Sequence, residues 1–169
     1  SLTEGLHPTQ LIIIAARPAV GKTAFALNLA LAAAKSTKKN IAIFSLEMPA
    51  EQLIMRMISS LGQIDNKKLS TGKLENEDWK RFNEAISILA DTNIYFHDAG
   101  GVTPAEIKAK CRRLATQGDG LGLVIIDYLQ LIDSSSRYSG SRQQEVSEIS
   151  RALKTMALEL EVPVIALSQ

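Results

Sequence analysis

Leu11-Ile-Ile-Ile-Ala-Ala-Arg-Pro-Ala-Val-Gly-Lys-Thr23 runs from unbroken apolar residues into a turn that closes on Lys22 and Thr23. An apolar run with no polar alternation reads as a strand covered on both faces, and the alanine- and leucine-rich text from Gly21 to Lys35 then reads as a helix. Strand, tight turn and helix in that order are the setting of a phosphate-binding loop. Amides of the turn and the positive end of the helix converge on a polyphosphate. Lys22 sets a point charge against the β- and γ-phosphates, and Thr23 offers its hydroxyl to Mg²⁺. Where the usual G-x-x-x-x-G-K-[ST] pattern opens on glycine this chain has Ala16, which a strand-like φ accommodates, and Pro18 stiffens the turn. Nucleotide contacts are expected from Ala16, Arg17, Pro18, Ala19, Val20, Gly21, Lys22, Thr23 and Ala24, with ATP and Mg²⁺ as the bound species.

Outward from this turn the chain alternates apolar runs with longer helical stretches. Further strands are read at Ile41 to Leu46, Leu123 to Tyr128 and Pro163 to Ser168, with a weaker one at Ile94 to Phe96. Helices are read from Pro49 onward, over Glu75 to Ala90, Pro104 to Thr116 and Gln143 to Glu161, the last because Val146, Ile149, Leu153, Met156 and Leu160 recur at steps of three and four. Strand-helix-strand repetition predicts an α/β fold: a mostly parallel, twisted sheet with helices on both faces. Leu53, Ile54, Met57 and Ile58 are expected to pack on that sheet, and Trp79, Phe82, Ile86 and Leu89 to be core.

Composition agrees. The 169 residues are 46% hydrophobic and 22% charged, enough for a buried core and too apolar for disorder. Basic and acidic side chains number 19 and 18, so a bulk-basic coat for nucleic acid is excluded and any such contact is local. One cysteine, Cys111, makes no internal disulfide. No apolar run approaches the ~20 residues of a membrane span and the amino end lacks a signal-peptide layout, so a cytoplasmic location is expected. Residues 1–169 read as one domain that continues past Gln169, where the text stops at the end of a strand.

Acidic groups complete the reading. Asp127 ends a buried strand, where a carboxylate is costly without a positive partner, and Mg²⁺ coordination is its expected role. Glu47 follows the strand Ile41 to Leu46; it either orients the attacking water or caps the helix near Pro49. Gln169 ends the last strand on the same sheet edge, as a γ-phosphate contact or a surface amide.

Other features carry open alternatives. The serine-rich loop 133–142 reads as mobile; Arg137 and Arg142 are candidate DNA phosphate contacts with Tyr138 to stack, against a solvated connector and a helix-start role for Arg142. Lys108, Lys110, Arg112 and Arg113 read as a solvated helix surface, with a nucleic-acid groove and a contact between subunits as the rival views. Cys111 reads as a packed or half-exposed thiol, and His7 and His97 have no ligand spacing.

Residues 15–28, Phe44-Ser-Leu-Glu-Met48, Ile125-Ile-Asp-Tyr-Leu-Gln-Leu131, Arg142-Gln-Gln-Glu-Val-Ser-Glu-Ile-Ser-Arg151 and Val162-Pro-Val-Ile-Ala-Leu-Ser-Gln169, in this order and spacing, resemble the carboxyl-terminal motor domain of the bacterial replicative DNA helicases of the DnaB type. The resemblance runs nearly end to end. It implies a RecA-like core working as a homo-hexameric ring that hydrolyses nucleoside triphosphates between neighbours, draws single-stranded DNA through its channel in the 5'-3' sense and unwinds the fork. It assigns Glu47 as the catalytic glutamate and Gln169 as the γ-phosphate sensor, and carries over Lys22, Thr23 and Asp127. Primase and a helicase loader are implied partners. The family's arginine finger and main DNA loop fall beyond the equivalent of Gln169, and Ser1 to Gly5 match only the trailing edge of its linker. This stretch alone is therefore expected to bind nucleotide weakly, hydrolyse little ATP and not unwind. The rival readings are a RecA-like recombinase that forms filaments and a nucleotide-binding module without hydrolysis.

Overall fold

A computed structural model describes residues 10–15, 21–98, 100–132 and 142–168. Five strands, β1 (Leu11–Ala15), β2 (Asn40–Ser45), β3 (Ile94–His97), β4 (Leu121–Asp127) and β5 (Val164–Ser168), form one sheet in the order β1-β5-β4-β2-β3. Every pairing is parallel. All five strands read from the sequence are present, each within two residues of its expected start.

Helices α1 (Gly21–Ser36), α2 (Ala50–Gly62), α3 (Asn66–Thr71), α4 (Asn76–Ala90), α5 (Pro104–Ala115) and α6 (Arg142–Leu160) connect them. Strand alternation sorts the core into two layers. Ile41, Ile43, Leu123, Ile125, Ile165 and Leu167 point toward α1 and α2, where Ala26, Leu27, Ala30, Leu31, Leu53 and Met57 meet them. Ala42, Phe44, Val124, Ile126, Val164 and Ala166 point the other way, onto Ile107 and Cys111 of α5 and Ile149, Leu153 and Met156 of α6. The unbroken apolar strands thus have helices on both faces, as parallel strands require.

Two expectations need correction. Ile58 leaves the sheet and joins Ile64, Leu69 and Ala85 in a third cluster, on which Ile54, Phe82 and Leu89 lie partly buried. The outer element α4 therefore packs mainly on α2. A single neighbouring helix covers a narrower arc than a sheet does. Trp79 and Ile86 consequently stay 48% and 41% exposed, although their spacing suggested core. The buried positions of α4 are Ala85 and Asp78. Asp78 is buried because it is engaged: it accepts from the Glu75 amide in a capping box and pairs with Lys68 and Arg81. These contacts hold its carboxyl below the usual range, the Glu75 amide most of all.

Register decides where chemistry can occur. Ala15 lies opposite Ser168, Asp127 opposite Leu167, and Ser45 opposite Asp127. The carboxyl ends of β1, β5, β4 and β2 therefore finish level on one sheet edge, the place where open α/β sheets bind ligands.

Candidate nucleotide site at the carboxyl edge of the sheet

Lys22 and Thr23 open α1 directly beyond the end of β1. The Thr23 hydroxyl donates toward Oδ2 of Asp127 at 3.4 Å, joining the first helix to the end of β4. Lys22 places its Nζ 5.2 Å from the ring centroid of Tyr128, a cation–π contact just past Asp127. That ammonium is buried and finds no hydrogen-bond partner among the described residues. Three donors withdrawn from water without an acceptor are costly, so the position suits an anion that accepts from them. A polyphosphate tail is such an anion.

Asp127 itself is only 8% exposed. Burial pushes its carboxyl above the ordinary range, opposed by the Lys22 charge and the Thr23 hydroxyl, while the Glu47 carboxylate pushes it further up and Arg56 of α2 pulls it down. Glu47 and Asp127 are thus close enough to repel one another. A buried carboxylate beside a hydroxyl, with a second acid near, is the oxygen donor set that a hard cation such as Mg²⁺ takes.

The backbone fixes Glu47. The Leu46 amide donates to the Asp127 carbonyl at 2.8 Å, extending the β2–β4 ladder by one residue, and the buried Ser45 hydroxyl donates to the Met48 carbonyl at 2.8 Å. Glu47 follows at once, with an exposed side chain. It does not cap α2, whose cap residue is Pro49, and the first helical amide, Ala50, donates instead to Oδ2 of Asp98 at 2.9 Å. Among the described residues, no hydrogen bond from the Glu47 side chain to the start of α2 supports the capping alternative.

Arg142 starts α6. Its guanidinium donates to Glu145 at 3.0 Å and to the carbonyl of Gln130, and Gln130 in turn donates to Ser168 Oγ at 2.8 Å. That ties the turn Leu129–Leu131 to β5 and gives Arg142 the helix-start role. Ala16, Arg17, Pro18, Ala19, Val20, Arg137, Tyr138, His7 and Gln169, with the loop up to residue 141, lie outside the described residues. Of the basic run, Lys108 and Arg112 pair with Glu159 of α6, whereas Lys110 and Arg113 face elsewhere. Cys111 is fully buried and its thiol is pushed up to about 12 by burial, so it is inert near neutral pH. Tyr128, Gln130 and Arg56 were not singled out from the sequence. The ring beside Lys22 and the guanidinium near Asp127 depend on tertiary placement, which no spacing rule reports.

The family model for the DnaB-like helicase C terminal domain matches residues 1–169. The chain belongs to the DnaB-like helicase C-terminal domain family. It is 56% identical over 168 residues to the replicative DNA helicase DnaB of Geobacillus stearothermophilus, covering 99% of this chain and 37% of that protein. The chain thus spans little more than a third of that relative. Among solved structures it resembles a DnaB-like replicative helicase studied for its interactions with primase, with a TM-score of 0.92, 38% identity and coverage of 99% of this chain and 40% of that one. A second solved structure, of an ATPase domain, matches equally well, at a TM-score of 0.92 and 38% identity, over 99% of this chain and 59% of that one. The fold is RecA-like, and family membership separates the chain from the recombinases that share that architecture.

Proposed function

We propose that this DnaB-like domain is the ATP-hydrolysing motor of a hexameric replicative DNA helicase, which moves along single-stranded DNA and opens the duplex at the fork. The observation that carries the reading is the buried ammonium of Lys22, without a hydrogen-bond partner among the described residues, beside the Thr23–Asp127 pair, with Glu47 in electrostatic reach. Together they form a socket for a triphosphate tail and its cation.

Each residue has work to do there. Lys22 neutralises the β- and γ-phosphate oxygens, and Thr23 and Asp127 hold Mg²⁺, Asp127 by way of water. A cation held there would supply neutralisation of the negative charge on the phosphate oxygens. Glu47, fixed one residue beyond the ladder and free of helix capping, accepts the proton or hydrogen bond of the attacking water and aligns it. Residues 16–20, all but Pro18 carrying a backbone N–H, are the proposed phosphate contacts, and Gln169 is the proposed γ-phosphate sensor. An arginine from a neighbouring copy completes the charge on the far side.

Single-stranded DNA is the proposed track, a reading that the family membership supports, and Arg137 is a proposed contact to it. Arg142, whose guanidinium is already engaged by Glu145 and the Gln130 carbonyl, contributes mainly by anchoring the end of that loop. Primase and a loader are the proposed protein partners, in the cytoplasm at the replication fork, and no described helix is long and apolar enough to cross a membrane.

The test is phosphate release by Glu47→Gln against the parent, both in the complete protein carrying this domain and with DNA present. Turnover is expected to fall ~10²–10⁴-fold with nucleotide affinity retained. A loss below about tenfold removes Glu47 from the chemistry.

A further inference from the structure

The strand β3 ends the sheet and is paired with β2 alone. No described bond between backbone groups reaches its outer edge, and its sequence, Ile94-Tyr-Phe-His97, contains neither the proline nor the lysine with which proteins commonly blunt such edges. Ile94 and Phe96 turn inward toward the α1 and α2 layer. Tyr95 and His97 stand in register with Ala42 and Phe44 and share the α5 face of the sheet.

There α5 lies over β2 and β4, and a cavity of about 260 Å³ opens between it and the edge strand. Tyr95 and His97 line its floor; Lys110, Arg113, Leu114 and Gln117 of α5 and the residues after it line its wall. Tyr95 is 45% exposed, and the His97 ring packs edge-on against Phe44 with centroids 5.5 Å apart. The wall is anchored. Asn40 at the start of β2 donates to the carbonyls of both Leu114 and Gln117 at 2.9 Å, which fixes the end of α5 against the sheet.

The four cations of α5 divide between two faces. Lys108 and Arg112, one helical turn apart, share Glu159 of α6. Lys110 and Arg113 line the cavity and make no hydrogen bond or ion pair among the described residues. Lys110 is near enough to His97 to disfavour its protonation, in the same direction as the burial of the ring.

We propose that the cavity beside the free edge of β3 receives an extended acidic peptide segment of a partner protein, which adds to β3 as a further strand, sets an apolar side chain against Tyr95 and Leu114, and lays a carboxylate between Lys110 and Arg113. Strand addition takes affinity from the main chain and specificity from pockets for alternate side chains. The period of two in a strand puts an apolar and an acidic residue two positions apart on the same face, where the pocket and the cations are neighbours. A free nucleotide would engage the cations yet leave the strand edge unpaired. The apolar lining and the open backbone together favour a peptide.

A display library of short random peptides, selected on the intact protein, tests this. Enrichment is expected for sequences with a large apolar residue two positions from Asp or Glu. A selected peptide, synthesised with a fluorescent label, should bind at least about tenfold more weakly to Lys110→Glu/Arg113→Glu, and to a milder degree to Lys110→Gln/Arg113→Gln. The charge-reversed protein should in turn prefer the same peptide with lysine in place of its acid. Methylating the amides on one edge of the peptide should abolish binding. Four results overturn the proposal: no acidic enrichment, equal binding to the charge-reversed protein, indifference to methylation, or displacement by an oligo-dT whose own binding vanishes on charge reversal.

Discussion

Asp127 is where the fold makes ionisation expensive. Its carboxyl sits above the ordinary range chiefly through burial, and that net shift already includes the help from Lys22 and Thr23 and the repulsion from Glu47. A raised folded-state value means that the charged form opposes folding. The penalty is absent when the group is protonated in both states, grows as pH rises past the unfolded value, and is complete above the folded one. Asp127→Asn, a neutral isostere, should therefore raise the thermal midpoint of the ligand-free protein at neutral pH and leave it unchanged in strong acid. The same substitution should abolish the extra stabilisation given by Mg²⁺ and nucleotide, since binding to the native state alone adds stability. Thermal unfolding with and without Mg²⁺-nucleotide measures both, and a lower midpoint for the unliganded variant at pH 7 would contradict the burial account. Lys22, Thr23 and Asp127 were singled out in the sequence because each stands at the end of an apolar run or the start of the helix after it, whereas position left Glu47 open between orienting water and capping a helix, and only the family resemblance chose between them. Tyr128 and Arg56 were not, because a ring beside an ammonium and a charge reaching across from α2 exist only after packing.

At the scale of elements, legibility followed how each segment is buried. Strands covered on both faces leave uninterrupted apolar text, and α6, packed against the sheet, leaves regular spacing through Ile149, Leu153 and Met156. The six-residue α3 is too short for any period to show; its ends are marked only by the Asp65 cap, which accepts from the Lys67 amide, and by Gly72 with a positive φ of 71°. The segment α4 displays a helical period yet packs mainly on one helix, so half of its apolar stripe meets water. These differences carry an energetic consequence. Leu153→Ala removes a side chain 1% exposed in the sheet-facing core and should cost ~2–5 kcal/mol. Trp79→Ala removes a larger side chain that is 48% exposed and packs edge-on with Phe82, at 5.6 Å between centroids, and should cost about 1 kcal/mol. Urea denaturation of the two variants orders them. Comparable losses would mean that a layer beyond α4 buries the tryptophan.

For the whole molecule the governing feature is that the socket lies on an open edge. The Lys22 ammonium is buried, Glu47 is exposed, and the strands beneath end level with one another. A phosphoryl transition state spreads negative charge over its equatorial oxygens, and a cation arriving in trans is typically worth ~10³–10⁵ in rate. In the proposed assembly a second copy docking on this edge in a head-to-tail manner would supply such a cation, and repetition of that contact would close a ring or extend a filament. On that proposal hydrolysis and strand separation would belong to the assembly, while nucleotide binding would begin within one chain. The 169-residue chain prepared alone is accordingly expected to bind ATP weakly, to release phosphate slowly with little response to single-stranded DNA, and to leave a forked duplex intact. Phosphate release over a range of protein concentrations, alongside strand displacement from a labelled fork, measures this. Rapid unwinding by the dilute chain would place every catalytic group within a single copy and end the shared-site account.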